Sequence, residues 1–364
     1  MNDHARWWRF YAAEISYFSA KVRPALRYKG VPFFEILPTP RAYREVILPR
    51  TGLGFIPVLV TPEDETWQDT SDILDRLEAR FPEPPLQPKA PVQRIASLLL
   101  EIYADEVLLL PAMHYRWSFA ESVARARADF HAASGDAETA RVFADRMSGS
   151  IRMLGVVPES IAAIEAHTRT LLELLEQHFA TSPYLFGDRA SIADCAFMGP
   201  LYAHLYLDAV PGRLLRETAP RTCCWIERMN HPEPGAPGEW YVNDSVSPTL
   251  RALLALVGQD AVPLLLDAVR DFERWADSSG KPGQTPPRGV GVHATRLRGA
   301  SFSRYTSAYT PWMLQRVLDP IARLGSAERR AVDSALAGTG CEELLAFVPR
   351  HRVGKKDFQL VLER

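Results

Sequence analysis

Cysteine is scarce in this 364-residue sequence: Cys195, Cys223, Cys224 and Cys341 are all there are, with no Cys-x-x-Cys and no histidine pair at metal-ligand spacing near them. Reduced thiols and no metal are the expectation. The nine histidines include no His-Glu-x-x-His, and no Gly-x-x-x-x-Gly-Lys run occurs. Metalloprotease and P-loop chemistry drop out. An excess of one charge is missing too, since 42 Lys plus Arg against 44 Asp plus Glu leave a net charge of -2. No broad field draws phosphate backbones or anionic lipid, so neither nucleic acid nor membrane is expected as a partner. No stretch of about 18 apolar residues runs without a charge or proline. The start, Met1 to Arg6, lacks a charged-then-apolar leader pattern. A soluble, cytoplasmic protein is the expectation.

What is present is an ordinary globular balance of 47% hydrophobic and 24% charged residues, over a length that holds about two or three domains. Residues 1–82 change period quickly: a strand-like run at 7–12, helical spacing over 18–29 closed by Gly30, a strand at 32–36 and a helix at 41–48. Strands at 56–60 and 66–68 follow, then a helix at 69–81 that Pro82 ends. The order is βαβαββα. Residues 83–91 are proline-dense and read as a linker. From 92 to 231 apolar residues recur at three and four, which predicts a helical bundle.

Residues 232–364, after a second Pro and Gly cluster, form an extension of unknown role, long enough for a small domain or a wrap around the bundle. Helices are predicted there over 248–257, 261–276, 312–324 and 327–337. A loop is predicted over 278–292. The polar, Arg-rich stretch 293–306 reads as a solvated segment, with a lid or partner contact as the alternative. The fold class is α+β with a mostly helical C-terminal extension.

Four strings stand at the junctions of this plan. Ser16-Tyr17-Phe18-Ser19-Ala20-Lys21-Val22-Arg23 falls where first strand passes to first helix, and Ile56-Pro57-Val58-Leu59 opens the third strand. Asp69-Thr70-Ser71-Asp72-Ile73-Leu74 opens the next helix, and Tyr184 to Asp194 contains Ser191-x-x-Asp194, a capping box assigned to folding. With these strings in this order, residues 7–231 resemble the glutathione transferase superfamily, a thioredoxin-like domain followed by an all-α domain. The resemblance implies glutathione as co-substrate and a homodimer.

Ser16 stands where serine-type members have their activating serine and cysteine-type members their nucleophile. A thiol of pKa about 8.5 is mostly protonated at neutral pH. A hydroxyl donating to the bound sulfur, at a helix N-terminus whose dipole favours an anion, would supply the thiolate. Ser16 also suits a plain N-cap. With Ser16 and Ser19 where a redox member needs cysteine, dithiol exchange there is not available. Tyr11 is the rival activator and reads as a core or rim aromatic.

The resemblance further makes Pro57 a cis-proline and Val58 the backbone partner of the cysteinyl unit. Asp69 would take the γ-glutamyl ammonium, and Thr70 with the helix N–H groups its carboxylate. Gly54-Phe55-Ile56 lacks the Lys or Gln that many members carry before that proline, so Arg50, ahead of Arg41 and Arg44, is the candidate clamp for the glycine end. Tyr17, Phe18, Tyr103, Met113, Tyr115 and Trp117 are the candidate pocket for a small hydrophobic electrophile. His114 has no assigned role. Cys223 and Cys224 read as a buried pair of small hydrophobes, against a thiol–disulfide oxidoreductase. The leading reading is a glutathione transferase whose Ser16-held thiolate attacks that electrophile by conjugation, ether or halide displacement, or isomerisation. The alternative is a non-catalytic ligand-binding or assembly module whose working surface is the extension.

Overall fold

The computed structural model describes residues 7–235 and 238–363. Strands β1 (Trp8–Tyr11), β2 (Phe33–Ile36), β3 (Val58–Val60) and β4 (Thr66–Gln68) form one sheet in the order β2-β1-β3-β4. β1 and β2 are parallel, and β3 is antiparallel to both β1 and β4. Helix α1 (Tyr17–Tyr28) makes the crossover between the parallel pair. Alternation along the strands splits the core in two. Phe10 and Leu59 pack with Val22 and Leu26 of α1 and with Ile73 and Leu77 of the helix Thr70–Arg80. Tyr11, Val58 and Val60 point the other way, onto Ala42 and Ile47 of the helical run 40–51. The third strand begins at Val58 rather than Ile56, because Pro57 has no N–H to give to a ladder.

The proline-rich linker leads into the helical run 91–117, which is π-wound at Tyr103–Val107. Seven further helical stretches complete this domain up to Asn230 among the described residues, counting the hairpin Ala120–Ser134 and Ala137–Gly149, the long helix Pro158–His178, and Pro220–Asn230 at its end. The expected capping box is formed: Ser191 Oγ accepts from Asp194 N at 3.2 Å and Asp194 Oδ2 from Ser191 N at 2.9 Å. Asp194 Oδ1 also accepts from Trp225 Nε1 at 2.9 Å, so the box fastens the last helix as well. Trp225 is core. The vicinal cysteines differ from expectation: Cys223 is buried and Cys224 is exposed, since adjacent helical positions are about 100° apart.

The extension shares the core of the other two parts. Leu265, Phe272, Val317 and Leu362 belong to the same buried cluster as Trp8 and Tyr103. Its longest helix, the continuous run Pro248–Ser279, is apolar and long enough to cross a bilayer by length and composition, but 72% of its apolar window is buried inside the fold. Gly258 permits that burial, for a Cβ there would come within 2.0 Å of the Thr339 carbonyl oxygen. Residues 289–307 correct the sequence reading. The stretch expected as loop and solvated polar segment is a hairpin, β5 (Gly289–Leu297) and β6 (Ala300–Ser307). Its inward face carries His293, Thr295, Arg304 and Thr306 beside Leu297 and Phe302. The helices Tyr309–Ala322 and Ser326–Leu336 follow, then a second unforeseen hairpin, β7 (Val353–Lys356) and β8 (Gln359–Leu362).

Candidate functional site

Strand register assembles the site. Ile36, Tyr11, Val58 and Gln68 form one row across the sheet. The loop 12–16 after β1, Pro57 before β3 and Asp69 after β4 therefore leave the sheet at the same end. The loop is held from below by two arginines. Arg23 donates to the Ala13 oxygen at 3.2 Å and pairs with Glu35 at 2.6 Å. Arg116, from the bundle, donates to the Ile15 oxygen at 3.0 Å and pairs with Asp208 at 2.9 Å.

Ser16 is the N-cap of α1, with extended backbone and with Oγ accepting from Ser19 N at 3.3 Å. It is half-buried, and among the described residues Oγ has no other partner, so its proton is free to donate. The N–H groups of Tyr17 and Phe18 are unused by virtue of their position in the first turn. A hydroxyl donor beside spare helix N–H groups favours an anion. Further along α1, Lys21 is fully buried and donates to Ser71 Oγ at 2.9 Å, Glu101 Oε1 at 2.7 Å and Asp105 Oδ2 at 2.5 Å. This ties α1 to the helix Thr70–Arg80 and to the bundle. Burial, with Glu101 alongside, pushes Asp105 up even though Lys21 opposes it. Arg316 and Lys21 outweigh desolvation at Glu101 and hold that carboxyl down.

The Ile56–Pro57 bond is cis. Val58, the expected backbone partner of a peptide, is paired with Tyr11 on one side and Gln68 on the other. Ile56, half-buried on the other side of the cis bond, has no strand partner and is the backbone left open at this edge. Asp69 has φ 74°, a conformation few non-glycine residues adopt. It caps the helix Thr70–Arg80 through Oδ1, which accepts from Ser71 N at 3.1 Å and Asp72 N at 3.3 Å. Its remaining capacity is taken by the extension. Tyr309 OH donates to Asp69 Oδ2 at 2.6 Å, and Lys355 Nζ lies 3.1 Å from Oδ1 and 2.8 Å from Asp72 Oδ2. Arg316 pairs with Asp75 one turn further on, and Thr70 is buried.

The other candidates, Phe18 apart, are not brought to this edge. Arg50 is spent on Asp64, at 2.8 Å and 2.9 Å, and on Thr66 Oγ1 at 3.1 Å. A guanidinium so engaged is a brace for the β3–β4 turn. Tyr103 is fully buried with its hydroxyl 2.7 Å from His167 Nε2, inside the bundle. Met113 and Trp117 pack into a separate cluster with Ala126 and Ala144 of the 120–149 hairpin. Tyr115 stacks on Phe119 and is buried, as is Tyr17, whose hydroxyl donates to the Ala104 oxygen at 2.5 Å. Phe18 alone of the six is half-exposed. Tyr11 is buried in the smaller core, facing Ile47. His114 sits between Ser118 Oγ at 2.9 Å and Glu165 at 3.2 Å. Tyr309, Lys355 and Ile56 were missed. Only the free residue before Pro57 had a local signal, since Tyr309 and Lys355 reach Asp69 through folding of the far end of the chain. Among the described residues no group of three or more His, Cys, Asp or Glu side chains could hold a metal ion.

A small mixed sheet with a cis-proline edge, followed by a helical domain, defines a thioredoxin-like protein with an all-α second domain. Residues 10–85 match the family model of the glutathione S-transferase N-terminal domain, and residues 159–233 that of the C-terminal domain. Over these two stretches the chain is similar to the two domains of the glutathione transferase superfamily. By sequence, no curated protein matches it. Similar solved structures include a beta-etherase from Sphingobium sp. strain SYK-6, with 18% identity, TM-score 0.46, and coverage of 63% of this chain and 96% of that one. A glutathione S-transferase from Rhodospirillum rubrum has 21% identity, TM-score 0.43, and coverage of 68% and 91%. One from Methylobacterium radiotolerans, in complex with glutathione sulfonate, has 20% identity, TM-score 0.40, and coverage of 66% and 99%.

Proposed function

We propose that the chain is a glutathione transferase in which Ser16 holds the glutathione thiolate and the extension must withdraw from Asp69 before the peptide is fully seated. The observation that carries this is the state of the Ser16 hydroxyl: it accepts one long bond from Ser19 N and keeps its own proton available at the start of α1. Lowering a thiol pKa by about two units takes roughly 2.7 kcal/mol. One hydrogen bond to a charged acceptor supplies about 1.5–3 kcal/mol, and the helix terminus adds to it. The thiolate would then attack a small hydrophobic electrophile beside Phe18. The cysteinyl backbone would pair with Ile56 and the γ-glutamyl ammonium with Asp69. The test is turnover of a dinitro-aryl chloride together with ultraviolet titration of bound thiolate. Both should be present in the native chain and lost in Ser16→Ala.

A second reading, a glutathione transferase fold kept as a binding or assembly module, is favoured by one observation. The Asp69 carboxylate already has an ammonium and a hydroxyl on it, both from the extension. Failure of the full chain to bind glutathione at millimolar concentration, with Lys355→Met equally inert, would select this reading.

A further inference from the structure

The helix Pro91–Ile102 starts opposite the bend between Tyr309–Ala322 and Ser326–Leu336, and the two meet around a cleft of about 260 Å³. Lys89, Arg94 and Arg323 stand in its wall with a single carboxylate, Glu328. All four are exposed. None of the three cations has an ion pair or a side-chain hydrogen bond among the described residues. The acids on the neighbouring turns are committed elsewhere. Glu328 Oε2 accepts from Gly325 N at 2.8 Å, and Asp319, four residues before Arg323 on the same helix, pairs with Arg352 at 2.8 Å.

The placement of these charges is unfavourable as it stands. Lys89 and Arg94 flank the start of the helix Pro91–Ile102, the positive end of its dipole, where anions are favoured and cations are not. That start is capped by Asp244, whose Oδ2 and Oδ1 accept from Val92 N at 2.8 Å and Gln93 N at 2.9 Å. Asp244 makes no ion pair with Lys89 or Arg94 among the described residues. A further anion entering the cleft would therefore meet side chains and not backbone N–H. A concave wall with an excess of one sign concentrates its field on the space it encloses.

The rest of the lining is apolar. Ile95 is buried, and Pro91, Pro320 and Leu324 are half-buried around the opening. We propose that this cleft binds a small organic phosphate, its phosphoryl group among Lys89, Arg94 and Arg323 and its carbon body against Pro91, Pro320 and Leu324. Three cations against one carboxylate leave two positive charges unmatched, which is the charge of a phosphate monoester above its second pKa of about 6. A carboxylate would meet only half of it. Two guanidinium groups suit phosphate oxygens as forked donors, and the lysine serves as a point charge. The inference does not depend on glutathione binding, because the cleft is built from other residues than Ser16, Ile56 and Asp69.

The experiment uses the full chain with phenyl phosphate, benzoate and inorganic phosphate as probes at about pH 7.5, where the monoester is a dianion, read by calorimetry and thermal unfolding. Phenyl phosphate should bind at one site and raise Tm. Benzoate, with the ring and one charge, and inorganic phosphate, with no ring, should each be at least about tenfold weaker. Arg323→Gln and Lys89→Gln, both at exposed positions, should each weaken phenyl phosphate by about tenfold while the unliganded Tm changes little. Arg330→Gln, exposed on the helix Ser326–Leu336 and outside the cleft, and Ser16→Ala should bind it as the native chain does. The proposal is overturned if phenyl phosphate does no more than benzoate or inorganic phosphate in the native chain, or if either cleft variant keeps the native affinity. It is equally overturned if Arg330→Gln weakens binding as much, which makes the effect one of general charge, or if Ser16→Ala loses it, which puts the probe in the glutathione site.

Discussion

Lys355 places its ammonium 3.1 Å from Asp69 Oδ1, 2.8 Å from Asp72 Oδ2 and 3.3 Å from the centre of the Trp312 ring. It meets the Asp69 carboxylate with the same kind of charge that a γ-glutamyl group carries. Asp69 itself is held at φ 74° by its two capping bonds and by Tyr309. Strain of this kind persists where the surroundings over-determine a residue, and it concentrates at ligand clamps. On the proposed function, the extension and an incoming peptide would therefore compete for one strained carboxylate.

From that competition, Lys355→Met should tighten glutathione binding by about tenfold, equivalent to about 1.4 kcal/mol. Tyr309→Phe should act in the same direction and more weakly. Stability should fall in both, because each change takes a partner from Asp69 and Lys355→Met takes one from Asp72 as well. Isothermal calorimetry with glutathione decides the matter: unchanged or weaker binding in Lys355→Met would show that the ammonium is no competitor.

Ser16→Ala separates capping from chemistry. Loss of an N-cap costs about 0.5–2 kcal/mol of stability. Loss of a donor to developing negative charge costs about 100- to 1,000-fold in turnover. Turnover in Ser16→Ala should fall by that factor with a small shift in Tm, and Ser16→Thr, which keeps hydroxyl and cap, should recover part of it. A Ser16→Ala chain that keeps both full turnover and its thiolate absorbance would remove Ser16 from the chemistry.

The thioredoxin-like domain and the bundle were legible because their strands and helices bury apolar residues at the period of the element, and because proline and Ser191-x-x-Asp194 punctuate them. The β5–β6 hairpin was not legible, for its pattern is inverted: His293, Thr295, Arg304 and Thr306 are inside while Val292 is 68% exposed. The β7–β8 turn hides for a different reason. Asp357 and Phe358 take φ 48° and 65° without any glycine to announce them. Ser16, Pro57 and Asp69, which the strand register brings to one end of the sheet, were proposed from local strings. Arg50 could not be judged that way, since its partner Asp64 is chosen by the fold of a turn.

His204 gives a pH dependence with a definite sign. It is 3% exposed, its Nδ1 has no partner among the described residues, and burial and then Arg116 keep its pKa well below the usual value of about 6.5. Below that pH the unfolded chain binds a proton that the folded chain refuses, so stability falls on acidification, by up to about 1.4 kcal/mol per pH unit. Asp208, pushed up to about 6 by burial against the pull of Arg116, acts with the opposite sign. The difference between chains is therefore the quantity to measure. Between pH 6.5 and 5.5, urea unfolding should show His204→Phe gaining on the native chain by about 1 kcal/mol. Parallel curves would mean that His204 titrates normally in the fold.

The extension is fastened to the bundle by a buried polar chain. Tyr103 OH lies 2.7 Å from His167 Nε2, His167 Nδ1 is 2.8 Å from Asp260 Oδ2, and Arg298 Nε is 2.6 Å from the same oxygen. An ionised Asp260 only accepts, so His167 donates from Nδ1 and receives the Tyr103 proton at Nε2. His167 and Arg298 hold Asp260 below the usual carboxylate range against the desolvation of its site. Asp260→Ala removes the shared acceptor and leaves two donors facing nothing. It should cost about 3–5 kcal/mol, whereas an apolar replacement of both partners, His167→Phe with Asp260→Leu, should cost less than the sum of the single changes. Denaturant unfolding of the four chains measures this coupling. Hydrogen exchange over Gly289–Ser307 should accelerate in Asp260→Ala before the sheet of Trp8–Tyr11 does, because Arg298 sits in the turn of that hairpin. If the single changes simply add, within about 0.5 kcal/mol, the chain is a set of separate bonds and the fastening of the extension lies in its apolar contacts.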